Sequence, residues 1–289
     1  MKLSIKHCIL SFFIFIIALP AYSDSPVWKV EKGEHQLFIG GTIHLLSQSD
    51  YPLPPEFETA YNQSTRLIFE TDIQEIKDPE YQLMMMSELV LADGEDLKQL
   101  LSEETYRELE EYCLKRGIPM VLITSFKPGM IAMMLTLMEL QQLGVDGTGV
   151  DDYYSTKALQ DGKSLGQLET IEQQFAFISA MGKGQEDDLI SYTLEDIKQL
   201  PTTWKKLNAA WRKGNLQELK EIALLPLKRD HPETYDTLLV KRNNAWMPQI
   251  EAMLTTKEVE FVLVGALHLV GNNGLLAQLS AKGYTVTRL

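Results

Sequence analysis

Apolar residues along this chain fall into two patterns. A few short, dense, β-branched runs stand among long stretches in which apolar positions recur every three or four residues. The strongest run is Glu258-Val259-Glu260-Phe261-Val262-Leu263-Val264, which stops at Gly265-Ala266-Leu267-His268. The same design occurs far upstream, where Gln36-Leu37-Phe38-Ile39-Gly40 leads into Gly41-Thr42-Ile43-His44. A third run, Arg66-Leu67-Ile68-Phe69, ends in Glu70, Thr71 and Asp72. Runs this short, apolar at odd and even positions alike, predict strands buried on both faces of a parallel or mixed sheet with helical covers. Val27–Val30 and Gln36–Gly40 flank Lys32-Gly33-Glu34, the pattern of a hairpin.

Between residues 75 and about 255 the helical period dominates. Helices are expected over Pro79–Leu91, from Ser102 to Lys115 with a stop at Gly117 and Pro119, over Pro128–Leu143, and over Asp151–Gln160 up to Gly162. Met120–Ile123 and Lys163–Leu168 read as short strands. Further helices are expected over Glu56–Gln63, Glu169–Met181, Gln185–Pro226, Pro232–Leu254 and Gly274–Lys282, before a last strand at Tyr284–Arg288. Met130, Met133, Met134, Leu137 and Met138 recur at helical spacing and read as core packing. No tandem repeat and no Ser/Gly-rich linker divides the chain. The expectation is α/β: a single domain, residues 24–289, whose central mixed sheet is built from both chain ends around a large helical insertion.

Composition adds a compartment and removes some partners. Lys2 and Lys6 precede an apolar run from Cys8 to Leu19, followed by Pro20 and Ala21-Tyr22-Ser23. That order reads as a secretory signal peptide over residues 1–23, and in a bacterium it implies a periplasmic protein without stable membrane insertion after cleavage. The mature chain would keep 25 basic against 40 acidic side chains, a formal charge of −15. Such a surface repels nucleic acid and anionic membrane and favours neutral or basic ligands. Cys113 would be the one cysteine left, so no intramolecular disulfide forms, and its helical context reads as buried packing.

His44, Glu70 and His268 carry the chemistry. Two imidazoles and one carboxylate hold a divalent ion while leaving positions open for water and substrate. Such an ion polarises a carbonyl and activates water, which gives hydrolysis without a protein nucleophile. Glycine ahead of each histidine would let the backbone turn sharply at the strand end. A single histidine of this kind would be read as a strand cap, but two copies beside a strand ending in glutamate favour a site. Asp72 stands next to Glu70 as an alternative carboxylate. Arg242 reads either as part of a solvated helix face or as a group that holds a substrate carboxylate or orients Glu70. Asp151 follows a glycine-rich turn and reads as a helix N-cap. Glu169 and Gln173, one turn apart, are either partners that orient the histidines or surface residues. His35 and His231 lack a partner motif and read as surface.

The paired Gly-x-x-His segments and Phe69-Glu70 resemble the hallmarks of the TraB/GumN (TraB/PrgY) family. Weaker matches run through Gly149-Val150-Asp151, through Gly162-Lys163 and Leu168-Glu169-Thr170 to Gln173, and through Arg242-Asn243 with Trp246. One departure is visible: Lys127-Pro128-Gly129 stands where the family pattern has Lys-Pro-Trp. The family includes the animal TIKI proteins, metal-dependent proteases that use Mn or Co. The resemblance therefore implies a metal set of His44, Glu70 and His268, with Arg242 added in the catalytic set. The expected activity is that of an exported hydrolase dependent on a divalent metal (Mn, Co or Zn) and cleaving peptide or amide bonds. The alternative is a non-catalytic periplasmic protein that binds or sequesters a peptide or small signal molecule.

Overall fold

The computed structural model describes residues 25–289, so the expected signal segment lies outside the described residues. Eight strands are present: β1 (Val27–Lys32), β2 (His35–Thr42), β3 (Leu45–Leu46), β4 (Arg66–Phe69), β5 (Gly147–Thr148), β6 (Ser164–Gln167), β7 (Glu260–Gly265) and β8 (Thr285–Arg288). Six of them form one mixed sheet in the order β6-β4-β7-β2-β1-β8, while β3 and β5 pair separately. The run β6-β4-β7-β2 is parallel, and β1 is antiparallel to both of its neighbours. The two Gly-x-x-His strands are therefore direct neighbours, and the strand ending in Glu70 flanks one of them. Strands from both chain ends build the sheet as expected, joined by β4 and by β6.

Burial follows the two-residue alternation on both faces. Phe38, Leu67, Phe69, Phe261 and Leu263 enter one core with Phe57, Tyr154 and Trp211 from covering helices. Leu37, Ile39, Ile68, Val262 and Val264 enter a second core with Trp246, Ile250 and Leu279. β7, with five buried residues of its six, lies between helices on both sides, which is why its sequence is an uninterrupted apolar run. The insertion has its own core, built by Leu109, Cys113, Ile131, Leu135, Ile190 and Leu194. Cys113 is buried there, as read, and burial pushes its thiol up to about 11.

One helix, Glu186–Arg212, links the two regions. Its 27 residues reach about 40 Å at 1.5 Å per residue. Ile190 and Leu194 pack in the insertion core, while Ala210 and Trp211 pack under the sheet. Trp211 completes a defect in the strand ladder. Gly41 N–H donates to the Pro26 carbonyl at 2.8 Å, but proline has no N–H to return the bond that an antiparallel pair normally exchanges. The Trp211 indole N–H donates to the Gly41 carbonyl instead, at 2.7 Å.

Two readings of the sequence need correction. Met120–Leu122 is a 3-10 turn rather than a strand. Val121 and Leu122 are largely exposed, so the apolar run has no sheet to join. The methionine stripe of helix Pro128–Gln142 is half-buried, and the core face is carried by Ile131 and Leu135.

Replacing Trp211 with Phe is expected to leave the Gly41 carbonyl without a donor and to cost about 1–3 kcal/mol. Urea unfolding of the variant beside wild type measures it, and equal midpoints would mean that the indole bond contributes nothing.

Candidate functional site

Four parallel strands end at one edge, and each delivers a polar residue just beyond its carboxyl end, where ligands gather in open α/β sheets. β2 leads to His44, β4 to Glu70 and β6 to Glu169, while β7 enters a 3-10 turn, Ala266–Leu269, that carries His268. The register places Thr42 opposite Gly265, and Phe69 opposite both Leu263 and Gln167. Arg242 comes from helix Arg242–Met253, directly after a π-helical stretch, Asp236–Lys241. Such stretches recur at functional sites.

Gly265 explains the convergence. A Cβ built there would lie 3.2 Å from Glu70 Oε1, 3.7 Å from His268 Cδ2 and 4.0 Å from His44 Nε2. Three side chains from three strands thus end around the space that a side chain at this position would fill. The Gly265 N–H also donates to Glu70 Oε1 at 2.7 Å. Neither Gly41 nor Gly265 has a positive φ, so space at the site, rather than a sharp turn, is what requires glycine.

Each imidazole has one nitrogen committed. His44 Nδ1 lies 2.9 Å from Asp151 Oδ2. That contact depends on β3 pairing with β5 and on the Val150 N–H reaching the Ile43 carbonyl at 3.1 Å. Any side chain on Gly149 would run into the His44 backbone, so glycine there admits the segment. Asp151 lies in the first turn of helix Val150–Gln160, whose N-cap is Gly149. The N-cap reading of Asp151 is therefore wrong: it is a partner of the site. On the other side, His268 Nδ1 lies 2.6 Å from Asn243 Oδ1, and the Asn243 amide donates to the His268 and Asn273 carbonyls. The amide orientation makes His268 Nδ1 the donor and leaves Nε2 with the lone pair.

Arg242 is buried, not part of a solvated face. It bridges Glu70 Oε2 at 2.5 Å and Glu169 Oε1 at 2.6 Å, and its Nη1 lies 3.2 Å from His268 Nε2. Glu169 also accepts from the Trp246 indole at 3.1 Å, so it belongs to the buried network rather than the surface. Gln173 instead closes a capping box with Thr170, and Asp72 caps helix Ile73–Ile76. His35 and His231 are half-buried rather than on the surface. Gly129 is buried so tightly against the Ile178 carbonyl that no side chain fits, which accounts for its place after Pro128.

The two histidines are driven apart. The Asp151 carboxylate, working against burial, pushes His44 up to about 9. The ring is 67% exposed, so water screens part of that pairing. Burial, helped by the Arg242 charge, pushes His268 down to about 4. Burial alone would raise Glu70; the charges of His268, Arg242 and His44 and the Gly265 N–H outweigh it and hold the carboxyl at about 2. His268 is neutral above about pH 4, so at neutral pH Arg242 is the buried cation that keeps Glu70 ionised. A cavity of about 410 Å³ opens beside the site, with His44, Glu70, Asp151 and Arg242 in its lining.

Both His268 and Glu70 bind protons less readily folded than unfolded, so each contributes stability that is lost on acidification. The His268 contribution is complete above about 6.5 and fades toward about 4; that of Glu70 is complete above about 4.5 and fades toward about 2. Urea midpoints measured across this range should fall in both windows for wild type. Glu70→Gln should lower the midpoint at pH 7, by about 3–5 kcal/mol for a broken buried pair, and flatten the lower window. An unchanged lower window would remove Glu70 as its source.

The relatives agree with this arrangement. The protein named Uncharacterized protein YbaP of Escherichia coli (strain K12) is 28% identical over 250 residues, covering 84% of this chain and 87% of the relative. Metalloprotease TIKI1 of Xenopus tropicalis is 23% identical and Metalloprotease TIKI2 of Danio rerio 24%, each over 91% of this chain. The chain spans 61% and 60% of the length of those two proteases. No solved structure matches the chain. The sequence model of the TraB/PrgY/gumN family matches residues 26–288, and the chain belongs to that family.

Proposed function

We propose that this protein is an exported hydrolase of peptide or amide bonds that depends on a divalent metal ion. The observation that carries the reading is the convergence of His44 Nε2, Glu70 Oε1 and the His268 ring on the space above Gly265, with the other nitrogen of each imidazole already held. Outer partners of this kind fix the tautomer of metal-binding histidines and raise their basicity. Among the described residues, no three His, Cys, Asp or Glu side chains already surround a common point suited to a metal. Arg242 is the reason at His268, because its guanidinium meets Nε2. The donor set itself fits: His44 and His268 would be ligands through Nε2, and Glu70 through Oε1. Charge supports this. Glu70, Glu169 and Asp151 face Arg242 and a protonated His44, one negative charge in excess. Exchange of the His44 proton for a dication balances the group.

A bound ion would polarise the scissile carbonyl and lower the pKa of a bound water. The chain's own groups do the rest. Arg242 fixes Oε2 of Glu70, so Oε1 is the oxygen turned toward the space above Gly265, where it takes a proton from the attacking water and passes it to the leaving amine. Asp151 holds the His44 ring in place, and Asn243 does the same for His268. The segment at residues 1–23 supports export, with the periplasm as the compartment, and the acidic surface supports a peptide or other neutral or basic ligand. The enclosure of His268 behind Arg242 favours a second reading, in which the cavity binds a peptide or signal molecule without turnover. Ligand binding that survives chelation separates the two.

Mn, Co or Zn should raise the melting temperature of wild type, and His44→Ala and His268→Ala should each abolish the rise. Calorimetry in two buffers at pH 7 should read about one proton released per ion, from His44. A shift that persists in both variants would remove the two histidines as ligands. With peptide substrates, Glu70→Gln is expected to lower turnover about 10²-fold or more.

A further inference from the structure

The cavity beside Glu70 has two unlike sides. His44, Glu70 and Arg242 form one; Ile73, Ile76, Phe177, Ile178 and Leu238 supply an apolar wall opposite. The charged groups in the lining are all engaged. Asp151 holds His44, Asp152 receives the Lys77 ammonium at 2.5 Å, and Arg242 is divided between Glu70 and Glu169. Among the described residues no free cation faces the cavity to receive a carboxylate. Its volume, about 410 Å³, accommodates a large side chain together with the main chain that bears it.

The wall is built into the site rather than laid over it. Helix Ile171–Ala180, which carries Phe177 and Ile178, starts at the N-cap directly after Glu169, and the Arg242 guanidinium lies 5.7 Å from the Phe177 ring centre. Leu238 is one turn ahead of Arg242, and its carbonyl accepts from Arg242 Nη1 at 3.3 Å. A smaller hollow of about 80 Å³ shares Phe177 and Leu238 and continues toward Gly182 and Lys183, which gives an extended chain a way out.

We propose that this cavity is a side-chain pocket selecting a bulky apolar residue next to the bond presented to His44 and Glu70. The substrate class is then internal peptide segments with Leu, Ile, Met or Phe at that position, and not chains that end there in a free carboxylate. The inference rests on the hydrolase reading for what is done to the peptide, while selection itself is a matter of binding. Burying a leucine rather than an alanine side chain against such a wall strengthens binding about tenfold or more.

The test is calorimetric titration of the wild-type protein with N-acetyl-leucyl-alaninamide, its alanyl and aspartyl counterparts, and N-acetyl-alanyl-leucine with a free carboxylate. The leucyl amide should bind at least tenfold more tightly than the other three. Leu238→Asp and Ile178→Asp, both at half-buried positions, should erase that preference, and Leu238→Met should keep it. Equal binding of all four probes, binding of none, or a leucine preference that survives both aspartate variants overturns the proposal. Turnover is read separately. Leucine-selective binding without peptide cleavage would sink only the hydrolase reading, and cleavage without side-chain preference would sink only the pocket.

Discussion

A guanidinium buried between two carboxylates sets the terms for this molecule. Glu70 and Glu169 follow neighbouring parallel strands, whose backbones run about 4.8 Å apart, and both side chains are buried. Two anions so placed would repel each other and force one to take up a proton. The planar fork of Arg242 reaches both at once, a geometry that lysine cannot reproduce. The same helix face carries Asn243, which orients His268, and Trp246, whose indole bonds Glu169 and whose ring lies 4.5 Å from the His268 ring. One helix therefore fixes the charge of Glu70, the position of Glu169 and the tautomer of His268. Loss of one partner from a buried ionic group costs about 3–5 kcal/mol, so the strand ends and this helix hold their arrangement together.

The sheet was legible because strands buried on both faces leave uninterrupted apolar runs, and the two Gly-x-x-His segments marked where two of them end. Glu70 was legible for the same reason. The partners of the histidines were not. Gly149-Val150-Asp151 is locally a helix start, and nothing in the local pattern says that pairing of β3 with β5 carries it to His44. Glu169 precedes a helix and read equally well as a surface residue; its burial depends on Arg242, 73 positions away. Asn243 and Trp246 were visible only as matches to a family pattern, without a role. Met120–Leu122 shows the limit from the other side, since a short apolar run cannot reveal whether a sheet edge is available to it.

The helical insertion does more than enlarge the chain. Its core is separate from the sheet cores, yet the long helix Glu186–Arg212 belongs to both regions and delivers Trp211 to the Gly41 carbonyl, three residues before His44. Helix Ile171–Ala180 carries part of the cavity wall and touches helices Pro79–Leu89 and Pro128–Gln142 of the insertion. Gly129 permits that approach by leaving out a side chain where the Ile178 carbonyl lies. The position at which the family pattern carries tryptophan is thus a close backbone contact here, and the adjoining cavity wall is shaped accordingly.

The twin motifs do different work because their surroundings differ. His44 is largely exposed, faces Asp151 and is pushed upward; His268 is enclosed between Trp246 and Arg242 and is pushed downward. Titratable groups whose environments drive them apart mark a division of roles between proton carrier and fixed neutral partner. At neutral pH His44 is the imidazole that holds an exchangeable proton at the cavity surface, and His268 presents a lone pair that only Arg242 meets. The two Gly-x-x-His segments are alike in sequence, but β2 opens toward a loop paired with the start of a helix, while β7 runs at the centre of the sheet between two neighbours. Position within the sheet, not the motif itself, decides which histidine handles protons.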